Sequence, residues 1–359
     1  NFLKTTGVMS GYVLGLTSEQ ASAKNDNEFI KVRTNVPAGS YKENNRLSGI
    51  WVVAPSTVKV GQSFEVSVKM LRERFYVNIN CFTRDYPTVS SSTSHSPRYH
   101  QRGEGNGYFY QSDVPLKWQG VLKIESDSAY SGPSDVSFKD RPGPYPHDPR
   151  PITKIGPVKF NTEGVHFITF VEPQTGIKQV SNPIYVTTDN SGPGLYWGDI
   201  HGHTILTDGV RSPEEYYYFG RDEAFLDICA LSDHPEFYLT PYMWDYFTAV
   251  TNGFNEPGKF VTLQGFEWTN FTLGHRNLYF PGDKVPVIRS TDPKYSSLEA
   301  MYKFAAENGA LAIPHHSASN QYPIDWSLDI NDKIERLCEV YSCWGMSEQI
   351  GRASCRERV

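Results

Sequence analysis

The stretch YWGDIHGHTILTDG places His201 and His203 two residues apart, and this His-x-His pair is the first feature that could do chemistry. In an extended segment, residues two apart point to the same face, so both imidazoles can reach one ion. Further candidates follow in order: Asp208, Asp233-His234, Glu267, His275, and the adjacent His315 and His316. Imidazole and carboxylate donors together suit zinc, manganese or iron. One His-x-His pair also arises by chance, and a histidine at a strand end is commonly satisfied by a neighbour. An ordered series at successive strand ends is a different matter and marks a functional site. No Ser–His–Asp arrangement or phosphate-cradling glycine loop offers a rival chemistry. Arg276 follows His275 directly. Its guanidinium could clamp an anionic substrate bidentately, or it could form a salt bridge within the fold.

Such residues need rigid elements to aim them. After a Gly- and Pro-bearing linker at 190–194, apolar strand-like runs alternate with helical stretches. Strands are expected at 196–200, 226–231, 260–268, 277–280, 310–313 and 337–341. Helices are expected from Ser212, at 241–252, and at 296–308 with Gly309 closing the last. Ser212, Pro213 and Glu215 supply an N-cap, a proline at the first position and a capping-box glutamate. Strand–helix alternation argues for a parallel sheet, open or barrel-shaped, with the candidate residues beyond the strands' C-terminal ends.

Residues 50–189 read differently, as a β-sandwich of short alternating strands. Candidates are 63–70, 77–82 and 121–125, with a closing pair at 165–171 and 184–187 about the turn at 174–176. The inserts 85–107 and 131–151 have the composition of surface loops. His95, His100, His147 and His166 share no ligand spacing and are expected to be solvent-exposed rather than a second metal site.

At 359 residues, with 38% apolar and 14% aromatic residues, the chain can bury two cores. A net charge of −6 without a Lys/Arg block excludes a nucleic-acid footprint. Five cysteines without a CxxC pair exclude a disulfide scaffold or zinc ribbon. Cys229 and Cys338, in apolar runs, are expected to be buried as small hydrophobes. Residues 1–23 resemble a twin-arginine export signal that lacks its arginine pair, followed by an extension over 24–49. A periplasmic or secreted protein is expected, without membrane insertion. The final IGRASCRERV, within 349–359, back-translates without mismatch onto a common sequencing adapter. Natural sequence is therefore expected to stop near Glu348, leaving Cys355 without biological meaning.

YWGDIHGHTILTDG, ALSDH, GFEWT, GHRN, IPHH and EVY, taken together over residues 195–346, resemble the PHP superfamily of metal-dependent phosphoesterases. The YWGDIHGHT form behind a β-sandwich is similar to one branch, described only as a domain of unknown function. The resemblance implies a distorted (β/α)7 barrel, here incomplete over 195–348. It implies two or three divalent ions: His201, His203 and a bridging Glu267 on one, Glu267, His275 and His315 on a second, Asp208 and His234 on a third. His316 is the alternative to His315, because Pro314 precedes both. The family's late Asp-x-His is absent, so the chain is expected to be a truncated, catalytically crippled and inactive fragment. The implied activity is hydrolysis of a small anionic phosphoester by metal-activated water. A metallohydrolase acting on a non-phosphate ester, amide or glycosidic bond is the alternative, as is an exported non-catalytic binding protein.

Overall fold

The computed structural model describes residues 47–72, 75–77, 108–110, 118–138, 152–189, 194–209, 211–237, 239–317, 324–328, 330–342 and 345–346. The export-like stretch, His95, His100, His147, the 85–107 insert and the adapter-like tail lie outside them. The chain divides into two compact units between Tyr196 and Trp197.

The first unit is all-β among the described residues. Its strands are β1 (Leu47–Val53), β2 (Thr57–Lys59), β3 (Phe64–Arg72), β4 (Phe75–Val77), β5 (Tyr108–Tyr110), β6 (Gly120–Ser126) and β7 (Tyr130–Ser131). They continue as β8 (Asp135–Phe138), β9 (Ile152–Phe160), β10 (Gly164–His166), β11 (Ile168–Val171), β12 (Lys178–Val180) and β13 (Ile184–Thr187). The sheets run β1-β3-β9-β7, β12-β11-β6-β8 and β10-β13-β2, with β4 and β5 as a separate pair. Alternation in β3 buries Phe64, Val66, Val68 and Met70. Leu122, Ile168, Phe170, Ile184 and Val186 from the other sheets join the same core, each contributing roughly 1.5–3 kcal/mol by leaving water.

Three expectations fail here. The run 165–171 is not one strand: it breaks at Phe167, so that β10 pairs with β13 while β11 pairs with β6 and β12. Residues 131–138 are not loop, because β7 ends and β8 forms within them. His166 is buried, stacked on Phe160 at 4.5 Å between ring centroids, with Nδ1 2.6 Å from Ser128 Oγ and Nε2 2.9 Å from Thr162 O. Both ring nitrogens have local partners, which is what makes an imidazole tolerable in a core.

The second unit is built on one mixed sheet, β14-β15-β16-β17-β18. Its elements in chain order are β14 (Gly198–Asp199), α1 (Pro213–Tyr218), a π turn (Phe219–Glu223), β15 (Ile228–Ala230), α2 (Pro241–Phe254), β16 (Val261–Trp268), β17 (Arg276–Phe280), a 3-10 turn (Pro293–Tyr295), α3 (Leu298–Glu307) and β18 (Leu311–Pro314). Ser212 caps α1 in a complete capping box with Glu215, Thr240 caps α2 and Ser297 caps α3. Tyr217 of α1, Phe247 of α2 and Met301 and Ala305 of α3 pack with Phe266, Trp268, Leu278 and Ala312 of the sheet. Among the described residues, no helix is long and apolar enough to cross a membrane.

The expected all-parallel sheet is not found. β14, β15 and β16 are parallel, but β17 runs antiparallel to both β16 and β18. The cause is the short link at 269–275, since a parallel return needs a crossover of about a dozen residues or more. The run 337–341 is not a sheet strand either. Glu339 N–H donates to Pro314 O at 3.0 Å beside β18, and a small pair, β19 (Tyr341–Ser342) with β20 (Gly345–Met346), follows. Cys229 is buried as expected, but Cys338, on that irregular run, is exposed.

Two glycines test this packing. A Cβ on Gly265 of β16 would lie 2.7 Å from Tyr279 Cδ1 and 2.9 Å from Leu278 O, whereas one on Gly253 of α2 meets nothing within 4 Å. Gly265→Ala should lower stability by about 1–3 kcal/mol, and Gly253→Ala should raise it by about 0.5–1 kcal/mol. Urea midpoints measure both; an unchanged midpoint for Gly265→Ala would contradict the β16–β17 register.

Candidate metal centre

Parallel β14, β15, β16 and β18 all end at the edge where antiparallel β17 begins. The residues that follow β14, β15 and β18, the last residues of β16 and the one before β17 therefore share one place. Glu267, next to last in β16, is fully buried there. Its Oε2 lies 3.0 Å from His201 Nε2, 3.0 Å from His203 Nε2 and 3.9 Å from His234 Nε2, and its Oε1 lies 2.9 Å from His275 Nδ1.

The loop after β14 is held from β15. Asp233 Oδ1 accepts from Thr204 N–H at 3.0 Å, Thr204 Oγ1 at 2.9 Å and Thr207 Oγ1 at 2.6 Å. This lock brings Asp208 back to His203, with Oδ1 2.8 Å from Nδ1, and puts its Oδ2 3.7 Å from His234 Nε2. Gly202 is needed between the two histidines, because a Cβ there would lie 2.6 Å from the Tyr216 ring. The Tyr216 hydroxyl bonds to Asp199 O and Ala230 O at 3.1 and 3.2 Å, pinning the ring.

The tautomer of His234 follows from its neighbour. Thr269 Oγ1 donates its single proton to Glu267 O at 2.9 Å, so its contact with His234 Nδ1 is donation from the ring. The Nε2 lone pair then faces Asp208 and Glu267. At β18, consecutive residues of an extended chain would point to opposite faces. His316 has φ +37°, and this left-handed turn lets both rings reach the cluster. His315 Nδ1 is 3.2 Å from Glu339 Oε2, and His316 Nε2 is 3.1 Å from His275 Nδ1. Both histidines are therefore drawn in, where the sequence offered one or the other.

All seven predicted residues and His316 are thus brought together. Arg276 is not part of the cluster. Its guanidinium is fully buried, with Nε donating to Glu335 Oε1 at 2.6 Å and Nη1 to Leu273 O at 2.5 Å. It takes the salt-bridge role and has no exposed surface with which to clamp a substrate. Sequence reasoning missed Glu339, whose Oε2 is 2.6 Å from His201 Nδ1. Its one signal was the acidic residue of EVY.

Charge follows geometry. Burial opposes protonation of His201 and His203, but carboxylates outweigh it. Glu339 and Glu267 raise His201 to about 9, and Asp208 and Glu267 raise His203 well above its ordinary value. Burial wins at His234, His315 and His316, which are held below the usual histidine range, His316 at about 3. Burial also pushes Glu267 and Asp208 upward, yet the surrounding imidazoles hold both well below the usual carboxylate range.

Among the described residues, four overlapping groups could hold a metal ion: His201–His203–Glu267, His203–Asp208–His234, Glu267–His315–His316 and His201–His315–Glu339, each with ligand atoms within 4.8 Å of one another. Donors sharing one tetrahedral ion with bonds of about 2.0–2.2 Å lie roughly 3.3–3.6 Å apart. The observed separations need only small adjustments to meet that, so the donor set fits divalent ions.

Residues 221–322 match the model of a family described as "Protein of unknown function (DUF3604)", a stretch holding His234, Glu267, His275, His315 and His316. The chain is similar to an uncharacterized protein of Chlamydia pneumoniae, 28% identical over 192 residues, which are 53% of this chain and 31% of that protein. An uncharacterized protein of Chlamydia muridarum is 26% identical over 193 residues, again 53% and 31%. The chain thus spans about a third of the length of the curated relatives it matches. No solved structure matches it.

The raised His201 predicts a pH dependence with a definite sign. Its folded-state pKa of about 9 exceeds the ordinary 6.5, so in the ion-free protein its ion pairs stabilise the fold fully below pH 6.5. That contribution is lost as pH rises through 9. A metal ion needs the neutral ring, so zinc affinity should rise over the same window, with release of a proton. Calorimetry in buffers of different ionisation enthalpy measures this; an affinity that is flat from pH 6.5 to 9 would contradict it.

Proposed function

We propose that the second unit is a metal-dependent hydrolase resembling the PHP phosphoesterases, with two or three divalent ions of zinc, manganese or iron. The observation that carries the reading is the buried Glu267 carboxylate, in contact with His201, His203 and His275 and 3.9 Å from His234. In this reading Glu267 would be shared between two positions, with His201 and His203 completing one and His275, His315 and His316 serving the second. Asp208 and His234 would serve a third. Ions bound there would lower the pKa of a coordinated water toward about 7 and would offset charge developing on a phosphoryl group.

The chain's own residues prepare that chemistry. His234 presents Nε2 without a proton because its Nδ1–H donates to Thr269 Oγ1. Burial keeps His315 and His316 neutral, ready to donate lone pairs. The Asp233 lock on Thr204 and Thr207 fixes the His203–Asp208 loop before any ion arrives. With Arg276 spent on Glu335, neutralising a small anionic substrate falls to the ions. The five-stranded sheet is read as part of a distorted (β/α)7 barrel, with antiparallel β17 as its departure from that pattern.

The test is phosphate release from mono- and diesters by the protein reconstituted with manganese or zinc, beside carboxyl esters and amides. Metal-dependent turnover of a phosphoester is expected. It should vanish with chelator and fall by about 100-fold or more in Glu267→Gln. Metal-dependent cleavage of esters or amides alone would shift the reading to another metallohydrolase. Turnover indifferent to chelator would end it.

A further inference from the structure

His201 has a carboxylate at each ring nitrogen. Nε2 faces Glu267 Oε2 at 3.0 Å, and Nδ1 faces Glu339 Oε2 at 2.6 Å. The same Glu339 oxygen lies 3.2 Å from His315 Nδ1, within ion-pair distance but off the line of a hydrogen bond, so a small turn of the ring would complete it. The Asn277 amide nitrogen lies 3.4 Å from that oxygen and 3.0 Å from His201 Nδ1. Glu339 is only partly buried, but its backbone N–H is tied to Pro314 O, the carbonyl just before His315. One carboxylate therefore reaches two histidines from β14 and β18, which are far apart in sequence and at opposite ends of the sheet order.

An imidazole that ligates through one nitrogen must carry its proton on the other, and an acceptor there fixes both tautomer and ring plane. We propose that Glu339 is a positioning residue: it accepts the Nδ1 protons of His201 and His315 and so aims both Nε2 lone pairs into the Glu267 centre. This rests on the metal-centre reading above. It goes beyond that reading in giving Glu339 a task without making it a ligand. The alternative, direct ligation in the His201–His315–Glu339 group, would require Nδ1 of His201 to give up its proton. Nε2 would then be left protonated against Glu267, and His201 would be lost to the Glu267 position.

Stoichiometry and affinity separate the two. Zinc binding to the whole chain and to Glu339→Gln should saturate at the same number of ions, with affinity about 10–100-fold weaker in the variant. Glu339→Asp, which keeps the charge, should recover part of the loss. A variant that saturates one ion short would mean that Glu339 is a ligand and would overturn the proposal. Equal affinity in the parent and Glu339→Gln would overturn it as well, while leaving the metal centre standing. A parent that binds no zinc would sink both. If Glu339→Gln fails to fold, nitrogen-15 spectra of the zinc-loaded parent decide. His201 and His315 should carry protons on Nδ1, and zinc on either Nδ1 would overturn the proposal.

Discussion

A carboxylate with no solvent-exposed surface has to be matched by groups that compensate its charge, and Glu267 is such a carboxylate. Leaving an ion of this kind unpaired in a protein interior costs several kcal/mol. The strand that carries it cannot move it outward, because Phe266 and Trp268 on either side are themselves locked in the core. The surrounding sheet therefore has to bring donors to Glu267, and it does so from four other strands. His201 and His203 follow β14, His234 follows β15, His275 precedes β17, and His315 and His316 follow β18.

The mixed direction of the sheet is part of this solution. An all-parallel array would have needed a helix between β16 and the next strand. The short return at 269–275 instead delivers His275 to the same edge and places Thr269 where it can set the His234 tautomer. Elsewhere local devices do the aiming. Asp233 holds the loop after β14, Gly202 lets that loop approach Tyr216, and the left-handed His316 turns two neighbours toward one centre. Each is a small backbone or hydrogen-bond effect of order 1 kcal/mol. Together they decide which nitrogen faces inward.

Much of this was legible in the sequence, for physical reasons. Period-two alternation marked β3, and capping residues marked the start of α1 and the end of α3. Polar residues after apolar runs marked His201, His234, Glu267 and His315. What escaped was decided by tertiary context. Nothing local distinguishes a strand that breaks at Phe167 to change sheets from one that continues. His166 was expected to be exposed because its partners, Ser128 in the turn after β6 and a stacked Phe160 of β9, lie outside its own strand. Arg276 was ambiguous until Glu335 was found against it. Glu339 was hidden because 337–341 read as a plain strand, while the backbone there only brushes β18.

The most direct test is anomalous diffraction from zinc-soaked crystals, collected on both sides of the metal's absorption edge. Two or more peaks should lie about 2.0–2.2 Å from the Glu267 oxygens and from ring nitrogens of His201, His203 and the His275–His316 group. No peak at Glu267, with its contacts to His201 and His203 unchanged, would mean that the cluster is a hydrogen-bonded core and not a metal centre.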